Sequence, residues 1–247
     1  MRADVRHDLK HDRFAETVAG TAAGTLTWAT EHRPKMIGGV VAAVLIVGLA
    51  VGGWFWYQQQ QEKANDLLGH AVHVYDTPLR PPGTPVMPGI ETFASAAERA
   101  QAARRDFAAL ASQHPFTSAG KMAQYFVGLT YRDEGNTAQA EKSLQEVAGS
   151  SNHEVASLAK YALASLYAAN NRNPDAIKMY KDLIDHPSAT VSKAATQLEL
   201  ASLYEQVQQP VEAARLYDQV KKDSPKSPEA QYADAKVAAL KAGTPPK

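Results

Sequence analysis

The sequence predicts an all-α protein: a single N-terminal transmembrane helix, then an α-solenoid of three to four helical hairpins closed by a C-terminal capping helix. Three observations predict it. Residues 36–57 (MIGGVVAAVLIVGLAVGGWFWY) lie in a run of 26 residues, Met36 to Gln61, without one charged side chain. From residue 91 to 240 the chain is alanine-rich, with apolar residues at helical spacing. Within that stretch an alanine-aromatic pattern recurs every 36 or 37 residues, a period that signals an array of helical pairs.

Residues 1–35 mix charges with a Thr/Ala/Gly run, and Phe14, Val18, Ala22 and Leu26 form one stripe of a short helix; the segment reads as a cytoplasmic tail. The apolar run that follows holds ten Val, Leu, Ile and Phe residues, each favouring insertion by roughly 0.3–0.6 kcal/mol, against five glycines. At ~1.5 Å per residue it reaches ~33 Å, enough for a bilayer's hydrocarbon core. Trp54, Trp56 and Tyr57, with Phe55 between, close the run where it meets four glutamines, as aromatic rings at headgroup level do. Gly48 and Gly52 have the spacing of a helix-dimerisation face, which would allow a homodimer. Arg33 and Lys35 flank the run on its N-terminal side and only Lys63 lies close on the other, so the tail is expected in the cytoplasm and residues 58–247 across the membrane. In a Gram-negative cell that places them in the periplasm, anchored to the inner membrane.

Residues 58–75 keep a helix-forming composition, with Ala64, Leu67, Leu68, Ala71, Val72 and Tyr75 on one face, so the helix is expected to run on past the span. Residues 76–90 then hold five prolines, which stops the helix and makes a stiff connector. The repeat domain is expected over 91–241, with a helix over 91–113 pairing with the one over 58–75 as an irregular first unit. Ala140, Ala176 and Ala213 each sit nine residues after a tyrosine (Tyr131, Tyr167, Tyr204) and four before a large apolar residue (Leu144, Tyr180, Tyr217). Val147, Leu183 and Val220 follow three further on, and Ala103, Phe107 and Leu110 extend the series upstream. In each unit a first helix is expected to end on the tyrosine, a short turn follows, and a second helix starts at Thr137, Pro174 or Pro210, with Thr137 and Asn173 as expected caps. Gly128, Ala164 and Ala201, three before each tyrosine, let the second helix approach closely. A last helix, Pro228 to Lys241, opens on Ser227 as cap and covers the array's end; residues 242–247 are expected to be a disordered tail.

The charges balance, 26 basic against 26 acidic, so no broad basic surface for nucleic acid is implied. The absence of cysteine excludes disulfides, thiolate metal sites and cysteine nucleophiles. His70 and His73 have a spacing that suits two metal ligands, but no third ligand is placed, and no cofactor or metal is expected. No glycine-rich phosphate loop, serine elbow or HExxH motif occurs, so a non-enzymatic role is expected.

The repeated residues resemble the tetratricopeptide repeat: Gly128, Tyr131, Ala140 and Leu144 in one unit, Ala164, Tyr167, Ala176 and Tyr180 in the next, Ala201, Tyr204, Ala213, Tyr217 and Pro225 in the third. The period exceeds the usual 34, and Gln124, Lys160 and Gln197 stand where an early tryptophan is characteristic. The resemblance implies a concave surface lined by the first helices, onto which Tyr125, Leu129, Arg132, Tyr161, Ser165, Ala168, Leu198, Ser202 and Glu205 would project. An acidic peptide terminus is disfavoured there, since Lys, Arg and Asn are missing from the places that clamp one. An extended or helical apolar protein segment suits it better. Across the chain, the short charged tail, the single span ending Gly53-Trp54-Phe55-Trp56-Tyr57, the polar helix and the divergent repeats together resemble the YfgM family, the ancillary subunit of the bacterial SecYEG translocon. That resemblance implies association with SecYEG and periplasmic chaperones. An envelope assembly or cell-division scaffold built on the same repeat is the alternative.

Overall fold

The computed structural model describes residues 33–85, 89 and 91–243, and it divides into two units, Met1–Gln58 and Gln59–Lys247. The Phe14 to Leu26 stripe, the end of the chain from Thr244, and residues 86–88 and 90 of the proline-rich connector lie outside the described residues. Among the described residues there are nine helices and no strand. They are α1 (Arg33–Asp76), α2 (Ala96–Gln113), α3 (Ser118–Asp133), α4 (Thr137–Ala148), α5 (His153–Ala169), α6 (Asn173–Asp185), α7 (Lys193–Gln206), α8 (Pro210–Asp223) and α9 (Pro228–Lys241).

In the first unit, the apolar part of α1 is exposed on every side, with Leu49 77% accessible and Trp54, Phe55 and Trp56 all more than half exposed. The helix is long and apolar enough to cross a membrane. Such continuous apolar exposure on a water-facing helix would oppose folding, because nothing offsets the loss of the hydrophobic term.

In the second unit, consecutive helices pack in chain order: α3 on α4, α5 on α6, α7 on α8, with α9 against α8 and α7. One core joins Ala64, Ala71 and Val74 of α1 to Ala103, Phe107 and Leu110 of α2 and to Ala119 and Ala123 of α3. The first hairpin is therefore made by the end of α1 and α2. Leu67 was expected on its buried face but is exposed, and Val74 is buried in its stead, which rotates the packed stripe slightly about the helix axis. A second core runs from Leu129 through Val237. All three alanines of the repeat (Ala140, Ala176, Ala213) are wholly buried there, and Leu144, Tyr180 and Tyr217 are buried beside them. Phe126 packs against both cores, and its ring stacks on that of Phe107 at 4.7 Å.

The first hairpin departs from the expectation at α2. The helix starts at Ala96, not at residue 91, because Ser95 caps it: Ser95 Oγ accepts from the Glu98 N–H at 3.1 Å, and the Glu98 carboxylate accepts from the Ala94 N–H at 2.9 Å. Upstream, the Arg80 N–H donates to Phe93 O at 2.7 Å and Leu79 bridges Phe93, so part of the connector is pinned to the start of the repeat region.

The turns inside the three later hairpins share one geometry. The N–H groups of Asn136, Arg172 and Gln209 each donate to the carbonyl of the repeat tyrosine five residues earlier, all at 2.8 Å. The preceding residues, Gly135, Asn171 and Gln208, adopt left-handed φ of 78°, 57° and 59°. These are Schellman ends, in which a residue with positive φ satisfies the orphan carbonyls of the helix. They also correct the expected caps. Asn136, one residue before Thr137, accepts from the Gln139 N–H, while Asn173 is the first helical residue of α6 and Arg172 before it makes no side-chain cap bond. A Schellman turn that closes early leaves the cap position to the residue after the left-handed one.

Gln208 carries the penalty for left-handed backbone without glycine's freedom. Gln208→Gly is expected to stabilise the protein by about 0.5–1 kcal/mol, the left-handed strain relieved less the extra entropy of an unfolded glycine. A thermal melt reads this as a rise of a few degrees.

Glycine matters differently at the start of α3. Thr117 caps that helix by accepting from the Gly120 N–H at 2.9 Å, and the Thr117 hydroxyl donates in turn to His114 O at 2.9 Å. A Cβ on Gly120 would stand 1.9 Å from that His114 oxygen, a backbone atom that cannot swing away. Gly120→Ala is thus expected to cost about 2–3 kcal/mol, at the upper end for overpacking. By contrast, a Cβ on Gly128 would crowd the Leu144 side chain of α4, at 2.6 Å, while the nearest backbone atom, Leu144 N, stands at 3.4 Å.

Candidate functional site

The first helices of the repeat units, α3, α5 and α7, carry the residues expected to face a partner. Tyr125, Tyr161 and Leu198 occupy the same register position, 36 and 37 residues apart, and all three are half-buried against the long core. The Tyr125 ring packs edge-on against Phe126 at 5.4 Å and the Tyr161 ring edge-on against Tyr180 at 5.8 Å. Each ring is partly exposed and otherwise packs on the long core. Arg132 and Ser165 are exposed, and Ser202 is half-exposed. The Arg132 guanidinium is held by Asp133 at 2.9 Å, and its positive charge partly offsets the burial that raises the Tyr125 hydroxyl above its ordinary range.

Two of the expected residues are committed elsewhere. Leu129 is 8% exposed and belongs to the core, since its position on α3 turns it toward α4 and α5. The Glu205 side chain is 8% exposed; its carboxylate accepts from the Tyr217 hydroxyl at 2.5 Å and pairs with Lys236 of α9 at 3.3 Å. Glu205 therefore ties the capping helix to the last hairpin and offers little free surface.

One residue of this face escaped the sequence reading. Glu199 is exposed, and its negative charge adds to burial in raising the hydroxyls of Tyr161 and Tyr180. Its register partners are Phe126 and Ala162, apolar positions, so spacing alone gave no signal for a carboxylate there.

The signature tyrosines are structural, and cations hold their rings. Arg104 lies 4.7 Å from the Tyr131 centroid while pairing with Glu134 at 2.7 Å; Arg172 lies 4.2 Å from the Tyr167 centroid and grips Glu141 with both carboxylate oxygens at 2.8 Å. Gly128, Ala164 and Ala201 are buried beside them, as are Tyr167 and Tyr204, while Tyr131 is half-exposed.

Burial lifts the hydroxyls of Tyr75, Tyr125, Tyr161, Tyr167, Tyr180 and Tyr217 above the ordinary 10.0, helped at Tyr75 by Asp133 and at Tyr217 by Glu205. A raised folded-state value favours the neutral form, so this stability is fully present below about pH 10 and is lost as pH rises beyond it. Helicity followed by circular dichroism from neutral to about pH 11 should therefore collapse on the alkaline side, with phenolate absorbance appearing together with unfolding.

A separate cleft of about 280 Å³ opens between α2, α3 and α4, floored by the small side chains of Ala108, Ala111, Ser112 and Ser143 and edged by Gln124 and Glu146. It does not coincide with the Tyr125–Tyr161 row. His70 lies 3.9 Å from Asp106 in an exposed pair, and among the described residues no three His, Cys, Asp or Glu side chains converge as a metal would require. His186, at the end of α6, places Nδ1 3.1 Å from the Asp182 carbonyl, satisfying the helix terminus. At the expected tryptophan positions, Gln197 is wholly buried with neither amide atom paired to protein among the described residues.

The tetratricopeptide repeat-like domain family matches residues 27–189, which include both the apolar helix and the repeat hairpins through α6, and a tetratricopeptide repeat match covers 161–228. The chain belongs to the tetratricopeptide repeat-like domain family. No curated protein matches it. Among solved structures it is similar to a tetratricopeptide repeat protein from Parabacteroides merdae, at 17% identity and a TM-score of 0.49 over 76% of this chain and 60% of that one. It is also similar to the kinesin light chain nearly identical TPR-like repeats of Podosopora anserina, at 18% identity and a TM-score of 0.48 over 74% of this chain and 84% of that one. This tetratricopeptide repeat-like chain thus spans 60% of the length of the first of these relatives.

Proposed function

We propose that the protein is a membrane-anchored protein-protein interaction module that binds polypeptides through the first-helix face of its repeats and catalyses nothing. The observation that carries this reading is the exposed apolar stretch of α1, which lies with the repeat hairpins inside one family match. Repeat arrays recognise extended or helical segments over a long face, and half-buried Tyr125, Tyr161 and Leu198 supply apolar contact there, with Arg132 and Glu199 as charges of opposite sign at its edges. The flanking basic residues favour a cytoplasmic N-terminus and a repeat domain across the membrane, periplasmic in a Gram-negative cell. With the resemblance to the YfgM family, this points to the SecYEG translocon and periplasmic chaperones as partners. Photocrosslinkers at Tyr125 and Tyr161 in cells should capture translocon components and chaperones above the level seen from an exposed site on α8 such as Val211. Capture of cell-wall machinery in their place would favour the envelope-scaffold reading, and capture no better than from α8 would remove the proposed face.

A further inference from the structure

Phe116 is 85% exposed, the highest value among the described large apolar residues outside the span. It sits in the loop joining α2 to α3, His114-Pro115-Phe116-Thr117, where Thr117 caps the next helix. The corresponding loop before α9 is Ser224-Pro225-Lys226-Ser227, with Ser227 as cap, so a lysine stands where Phe116 does. The loop after α6 likewise continues from His186-Pro187 into Ser188. Only the first of these three loops presents an aromatic side chain to solvent, and nothing in its own hairpin requires one.

The placement of that loop explains the difference. The Ser118 N–H donates to the Gln61 side chain at 3.2 Å, which fastens the loop to α1 near the beginning of the second unit. Gln61 follows Tyr57 by four residues, and a chain segment of that length spans at most ~14 Å even when fully extended. If Trp54 to Tyr57 lie at headgroup level, that short covalent tether bounds how far from the lipid surface Gln61 and the loop bonded to it can lie, whereas the Lys226 loop is three hairpins further along the chain.

We infer that Phe116 is a second membrane contact: the α2–α3 loop rests on the bilayer that holds the span and buries the Phe116 ring at the headgroup-acyl boundary. This rests on the membrane-anchored reading above. Aromatic rings are favoured at that depth, and a single ring adds a modest apolar term.

The absence of native cysteine makes the test direct. Phe116→Cys, Lys226→Cys and, within the span, Val47→Cys are each labelled with an environment-sensitive fluorophore, and the full chain is reconstituted into phosphatidylcholine-phosphatidylglycerol vesicles containing lipid-borne quenchers. Because Phe116 and Lys226 are solvent-exposed loop residues, substitution there should leave the fold intact, as circular dichroism will check. Emission at 116 is expected to shift to the blue and to be quenched several-fold more than at 226, with quenching at 47 strongest. Quenching at 47 with none at 116 beyond that at 226 overturns the inference and leaves the anchor standing. No quenching at 47 overturns both.

Discussion

Tyr217→Ala is expected to destabilise the protein by about 3–5 kcal/mol, as for other fully buried aromatic truncations. The Tyr217 side chain has no solvent exposure, lies among the alanine-aromatic contacts of α7 and α8, and approaches Tyr232 of α9 at 6.5 Å. Its loss removes apolar burial and opens a cavity at the point where the capping helix closes the array. Tyr217→Phe separates ring from hydroxyl. It keeps the packing and gives up the bond to Glu205, so it should cost about 1.5–3 kcal/mol, the range for a hydrogen bond to a charged group. Chemical denaturation of the detergent-solubilised protein, followed by its helical signal, measures both. An alanine variant no weaker than the phenylalanine variant would mean that the ring is not part of the core.

Glu205→Ala is the second large effect, at about 3 kcal/mol or more, because it strands a partner charge. The Lys236 side chain is only 16% exposed, and Glu205 is its acceptor at 3.3 Å; the Tyr217 hydroxyl loses its acceptor in the same step. Breaking a buried pair from one side leaves an unpaired charge, whereas removing both charges together does not. Glu205→Leu combined with Lys236→Met is therefore expected to be more stable than Glu205→Ala alone. The same pair of variants separates structure from recognition. If Glu205 served chiefly to bind a partner, Glu205→Ala would weaken capture from Tyr161 without lowering the denaturation midpoint.

The repeat was legible in the sequence because its packing is local and periodic. Ala140, Ala176 and Ala213 must be small to let helices touch, and Leu144, Tyr180 and Tyr217 must be large to fill the groove beside them, so spacing alone betrays their burial. The last helix was equally readable, since Ser227 and Pro228 mark its start chemically. What spacing could not convey is which polar groups find each other across long separations. Glu205 looked like a free surface carboxylate because Lys236 lies 31 residues away on a helix whose facing side no pattern specifies. Leu129 looked like a lining residue because the register of the repeat gave its direction, whereas its place on α3 puts it in the long core at 8% exposure. The start of α2 at Ala96 is less legible because residues 91–94 hold no glycine or proline, and it is the capping exchange between Ser95 and Glu98 that sets the boundary. Phe116 gave no signal at all, because a lone aromatic in a loop has no period.

Membranes from cells making the full chain, washed with alkaline carbonate, test the central claim most directly, because that treatment strips peripheral proteins but leaves a spanning helix in lipid. The account predicts that the protein stays with the membrane pellet and that deleting residues 36–57 releases it into the wash. Recovery of the intact chain in the wash would contradict it.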